Sequence, residues 1–160
     1  MKKIFLSTMI ALSILIVLAG TTFPAYAKAD RQLLLKGTVE ATETHEGTFP
    51  VNYVTVHGSG DASQLGLYTY GLQAELYLPT LSSTATATFV AADGSRLFTQ
   101  GTGQGTLTST PGIVSIVETL MITGGTGRFE SASGNITIQR LVNRATFASS
   151  GTIKGTVILP

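Results

Sequence analysis

Glu118 shares one strand face with Val114, Ile116, Leu120 and Ile122. A carboxylate buried among apolar neighbours has a raised pKa, and perturbed groups gather at functional sites. The plainer alternative is an ion pair with a nearby arginine, or a place at the rim of the fold. Glu40 raises the same question on another strand. Leu33, Leu35, Gly37, Val39, Ala41 and Glu43 fall on one face, and Lys36, Thr38, Glu40, Thr42 and Thr44 on the other. If the apolar face points inward, Glu40 is outside; if the polar face lines the interior, Glu40 lies inside beside Lys36 and Thr38. Tyr68, Tyr70 and Leu72, continuing to Leu76 and Leu78, form an aromatic and aliphatic set that suits the wall of a ligand pocket.

Other chemistries lack their residues. His45 is expected in the loop after the first strand and His57 on the second; with Glu43 and Glu46 they match no metal-ligand spacing, and cysteine is absent. No serine sits in G-x-S-x-G. Gly124-Gly125-Thr126-Gly127 lacks the Lys-Ser/Thr ending of a phosphate loop, and Glu130 breaks G-x-G-x-x-G. No metal and no cofactor is therefore assigned. Gly124, Gly125 and Gly127 read instead as a turn whose residues tolerate positive φ, with the chain re-entering a strand at Gly134. Arg128–Ala132 suits a single helical turn with Phe129 plugging the end of the fold.

The elements that must position these residues are strands. Threonine is abundant, all 18 glycines but Gly20 follow Ala27, and no long apolar stripe of helical period occurs. Alternating runs separated by turn signals predict eight strands: Leu33–Glu43, Val51–Gly60, Gly66–Leu78, Thr84–Ala91, Arg96–Leu107, Ile113–Thr123, Gly134–Asn143 and Phe147–Leu159. Eight strands with short connections solve the edge problem by closing into an antiparallel barrel, a calycin-like form whose interior is filled by side chains or holds one small ligand. A two-sheet β-sandwich is the alternative. Gly101, Gly103 and Gly105 lie on one strand face, where they permit close approach of another chain segment or floor a cavity.

Lys2 and Lys3, the apolar run Ile4–Ala19 and Ala25-Tyr26-Ala27 read as a secretory leader, 1–27, cleaved after Ala27. A loose start, 28–32, then leads into one barrel domain, 33–160. Losing Lys2 and Lys3 turns the formal charge from +1 to −1. That balance, without basic clusters, argues against a nucleic-acid partner. The expected location is extracellular or periplasmic, with no membrane contact after cleavage.

Ile122–Val142, ITGGTGRFESASGNITIQRLV, is similar to the signature of allene oxide cyclases and, more loosely, of dirigent proteins. In both, a Gly-Gly-Thr/Ser-Gly turn precedes a buried aromatic and the seventh strand; Gln139 and Leu141-Val142 match the cyclase pattern. Val39–Glu43 followed by Gly47-Thr48-Phe49-Pro50 resembles the cyclase stretch Tyr-Glu-x-Asn-Glu…Gly-Ser-Pro. The pattern resembles that of a bacterial secreted branch of this barrel superfamily. The resemblance implies an eight-stranded barrel, self-association as a trimer, and a catalytic role for Glu40 as the cavity carboxylate that acts on an epoxide-derived cation. Thr42 stands where the family has Asn. Pro50 matches only across a one-residue insertion at Phe49, a shift that turns a side chain to the other face.

Three functions follow for test. The first is a barrel binding a small apolar molecule, with Tyr68, Tyr70, Leu72 and Glu118 on its wall. The second is an isomerase, an intramolecular cyclase acting on a lipid-derived substrate, with Glu40 stabilising developing positive charge. The third is a ligand-free structural or interaction protein whose barrel is filled by side chains. Binding is preferred over an enzyme, and an interior cavity separates the third reading from the other two.

Overall fold

The computed structural model describes residues 29–160. The expected leader and its cleavage point lie outside these residues. The strands are β1 (Arg31–Thr48), β2 (Val51–Ala62), β3 (Gly66–Tyr77), β4 (Ser82–Val90), β5 (Arg96–Leu107), β6 (Ile113–Gly125), β7 (Ser133–Asn143) and β8 (Ala148–Leu159). Each pairs antiparallel with the next, and β8 returns to β1 from Arg31↔Leu159 to Thr42↔Ala148. The sheet is a closed eight-stranded barrel, as expected, which rules out the two-sheet alternative.

Two differences from the sequence reading concern β1. It begins at Arg31, inside the segment expected to be loose, because Arg31 and Gln32 pair with Leu159 and Ile158. It also runs past Glu43 to Thr48, because pairing with β2 continues from Glu43↔Val56 to Thr48↔Val51 after pairing with β8 has stopped. His45 therefore stands on a strand rather than in a loop.

The apolar face of every strand points inward. On β1 these are Leu35, Val39 and Ala41, with Glu43 in the same register; on β7 they are Ile136, Ile138 and Val142, with Arg140 in register. Leu120 and Ile122 from β6, Leu97 from β5 and Ile153 and Val157 from β8 complete this core. Tyr68, Tyr70 and Phe89 pack as an aromatic group with centroid separations of 5.5–6.4 Å. The Tyr68 hydroxyl donates to the Thr38 carbonyl oxygen at 2.9 Å.

The two barrel ends differ. The end carrying the β2–β3, β4–β5 and β6–β7 connections is closed. There Gly127–Phe129 forms a 3-10 turn, and Phe129 is buried to 1 % exposure. Gly124 (φ 144°) and Gly127 (φ 61°) adopt backbone conformations that side chains with a Cβ strain to reach. Arg128 laces the three connections together. Its side chain donates to the Gln64 carbonyl oxygen at 2.7 Å and pairs with Asp93 at 3.1 Å, and its backbone N–H donates to Ser95 Oγ at 3.2 Å. The two side-chain contacts are exposed and fix geometry more than they add stability. The burial of Phe129 carries the energy. Phe129→Ala is expected to lower stability by about 3–5 kcal/mol, read as a drop in urea midpoint, because the loop above it cannot collapse into the void.

Candidate ligand cavity and its buried charge cluster

The opposite end, where β1–β2, β3–β4, β5–β6 and β7–β8 connect, is open. It leads to a cavity of about 360 Å³. Most of the wall is aliphatic: Val54 from β2, Leu72, Ala74 and Leu76 from β3, Val114 and Ile116 from β6. Leu78, Leu81, Leu107 and Phe147 stand nearer the mouth. The strands supply this wall because every second residue of a pleated chain faces the lumen. Space remains at this end because several inward positions are small. Ala74 and Gly105 are two of them. At Gly103 the space is taken instead: a Cβ there would stand 2.5 Å from Ser83 Oγ and 3.4 Å from Glu118 Cγ. The glycine row thus makes room for the side chains that face it, and Gly105 lines the cavity directly.

The polar part of the lining is a buried ion cluster. Glu43, Glu118 and Arg140 are 6 %, 3 % and 3 % exposed. Arg140 donates from Nε to Glu118 Oε2 at 3.2 Å and from Nη2 to Glu118 Oε1 at 2.7 Å, a two-pronged contact. Its Nη1 donates to Glu43 Oε1 and, at 3.2 Å, to Ser149 Oγ. The other Glu43 oxygen lies 3.1 Å from His45 Nε2, and the His45 ring packs on Phe147 at 4.8 Å. Burial alone would lower the Arg140 pKa. The charge and hydrogen bonds of Glu118 and the charge of Glu43 outweigh it, so the guanidinium is held more firmly protonated than usual.

The sequence-derived positions separate on this frame. Glu118 and Leu72 line the cavity, and Glu118 is both buried and paired with an arginine. Tyr70 and Tyr68 are buried on the same inner face but belong to the packed core, outside the cavity lining. Gly124, Gly125, Gly127, Phe129 and Gly134 are at the closed end, far from the cavity lining. Glu40 is exposed. It borders a shallow outer groove with Thr42, His57 and Ser59, because the apolar face of β1 is the inward one. The role that the family resemblance implied for Glu40 needs the lumen, which Glu40 does not reach. The carboxylate of β1 inside the barrel is Glu43, three residues on and in the opposite register. His45 faces the cavity and His57 the outside, so they share no site; among the described residues no group of three or more metal-ligating side chains occurs.

Glu43 and Arg140 belong to the cavity lining without having been singled out from the sequence as part of it. Both carried a signal: each is a charged residue in the register of an apolar face, Glu43 after Leu35, Val39 and Ala41, Arg140 between Ile138 and Val142.

Two buried side-chain atoms have no partner among the described residues, Asn52 Oδ1 and the Tyr70 hydroxyl. Burial pushes the Tyr70 phenol pKa up; the charge of Arg140 opposes this, and Glu118, Tyr68 and Glu43 add to it. Burial pushes Tyr68 up too. An unfolded tyrosine ionises near 10.0, while these two keep their protons beyond it. Their contribution to stability is therefore complete below pH 10 and is lost as pH rises above it. Tyr70→Phe should be neutral or stabilising at pH 7, since it removes an unpaired buried hydroxyl. Above pH 10 its stability should fall less steeply than that of the parent, by about 1.4 kcal/mol per pH unit. Urea unfolding at pH 8, 10 and 11 checks both; equal slopes would contradict the buried phenol.

No protein-family model matches the sequence, and neither does any curated protein. Solved structures do share its form. The pterocarpan synthase dirigent protein GePTS1 superposes with a TM-score of 0.59 at 14 % identity, over 86 % of this chain and 98 % of that one. The pterocarpan synthase dirigent protein PsPTS1 gives 0.55 at 15 % identity, over 79 % and 94 %. At such identities the likeness is one of fold: this chain has the closed eight-stranded barrel form seen in these two dirigent proteins.

Proposed function

We propose that this protein binds a small, mainly apolar molecule in the open half of its barrel, and that it does so outside the cytoplasm after loss of its leader. The observation that carries the reading is the cavity itself. A space of about 360 Å³ lies within the range of small-molecule sites, and its wall is aliphatic with a few convergent polar groups. A barrel serving only as a structural body would have this half filled by side chains, as the closed half is.

The test is titration of the purified protein with N-phenyl-1-naphthylamine, an apolar dye that fluoresces when it leaves water. Saturable binding at one site, displaced by a non-fluorescent competitor, is the expected result. Absence of binding to a folded protein would sink the reading.

One observation favours a second reading, an isomerase of the cyclase type. Glu118 and Glu43 present buried carboxylates to the cavity, where a fixed negative charge stabilises positive charge developing on a bound substrate. The solved dirigent structures with this fold are named as pterocarpan synthases. In this reading Glu118 or Glu43 takes the part that the resemblance implied for Glu40. Glu118→Gln would then abolish turnover of a substrate while leaving its binding intact; equal loss of both would support binding alone.

A further inference from the structure

The cavity's polar end has an uneven supply of donors and acceptors. Arg140 is the only cation in the buried cluster, and four of its N–H donations already go to Glu118, Glu43 and Ser149. Little of the Arg140 donor capacity is left for an incoming carboxylate or phosphate. Carboxylates, by contrast, outnumber cations in the cluster. Nearer the mouth, opposite Gly47, Asn52 also lines the cavity, and its buried Oδ1 has no donor among the described residues. Glu43 Oε2 is met only by His45. The formal charge has the same sign. Two carboxylates against one guanidinium leave the buried cluster at −1 with His45 neutral. Arg144 also borders the cavity, but it is exposed at the mouth, where solvent screens it.

We infer that the cavity selects an amphiphile whose apolar body carries a protonated amine, and that it discriminates against anionic amphiphiles such as fatty acids. The ammonium donates to Glu43 Oε2 and supplies the positive charge that the cluster lacks. Each of its hydrogen bonds to a carboxylate is charge-assisted and stronger than that of a neutral hydroxyl. A carboxylate head would face Glu43 and Glu118 in a low-dielectric pocket, and its repulsion there is weakly screened. The inference rests on the binding function proposed above and adds the class of head group.

Decylamine, decanol and decanoate share one chain and differ only in the head, so they isolate it. Each is titrated calorimetrically into the protein at pH 8, below its aggregation limit, and each is tested as a displacer of N-phenyl-1-naphthylamine. Decylamine is expected to bind about tenfold tighter than decanol, with decanoate weakest. Glu118→Gln, which brings the formal charge of the cluster to zero, should bring decylamine and decanol close together; Glu43→Gln gives the same comparison if the first variant does not fold. Decanoate binding as tightly as decylamine, or decanol matching it in the parent protein, would overturn the inference. If the dye binds but none of the three displaces it, the inference fails and the apolar pocket stands. If the dye does not bind either, both fall together.

Discussion

Arg140→Met is expected to destabilise the protein by about 3–5 kcal/mol, among the largest effects of any single substitution in the barrel. The reason is the company that Arg140 keeps. Glu43 and Glu118 come from β1 and β6, strands that are not adjacent in the sheet, and Arg140 from β7 reaches both. Without the guanidinium, two carboxylates are left buried with no counter-charge. Equilibrium urea unfolding at pH 8 reads the size. The triple variant Glu43→Leu, Arg140→Met, Glu118→Leu separates pairing from packing. Ion clusters repay their desolvation incompletely, so the triple variant should recover most of the lost stability. A single variant as stable as the parent would show that the carboxylates do not depend on Arg140.

Ala74→Trp is expected to weaken binding of N-phenyl-1-naphthylamine by at least about 100-fold, which is about 2.7 kcal/mol. Ala74 sits on β3 between Leu72 and Leu76, and all three line the cavity. An indole projecting from this position takes up much of the space that a ligand needs. In a close-packed core such a change costs about 1–3 kcal/mol through strain. Here the added ring enters a void, so the urea midpoint should hold or rise. Weak binding with retained stability would place the dye in the lumen. Undiminished binding would mean that the dye sits elsewhere, on the outer wall of the barrel, and the cavity would lose its claim to be the site.

Local alternation was enough to determine the fold class. Thr84–Ala91, with Thr84, Thr86 and Thr88 on one side and Ala85, Ala87 and Phe89 on the other, has a period of two that only a strand accommodates, and β4 occupies Ser82–Val90. The turn residues around Asp93-Gly94 and Gly124–Gly127 marked where such runs stop, and eight runs without a helix between them left few architectures. Strand ends were less legible. The last residues of β1 pair only with β2, and no local signal shows that a partner on one side is enough to extend a strand.

The candidate site was legible in part of its aliphatic wall, Leu72, Leu76 and Leu78, and in one residue of its charge cluster. Glu118 stood out because its own strand surrounds it with apolar neighbours. Its partners did not, because ion pairing is a fact of closure. Arg140 lies 22 residues from Glu118 and 97 from Glu43, and only the wrapped sheet brings the three together. The face of β1 that points inward was likewise open in the sequence, since both an apolar and a polar lumen occur in barrels. Burial of Leu35, Val39 and Ala41 decided it, and the same decision put Glu43 inside and Glu40 out. The sequence by itself determined that the chain alternates and turns, because those properties are set by neighbours along the chain; that β8 closes on β1 was decided by the tertiary structure. Tertiary structure alone decided that one half of the barrel is packed and the other hollow. That depends on how the volumes of side chains from eight strands sum at each level of the lumen, and no single strand records the sum.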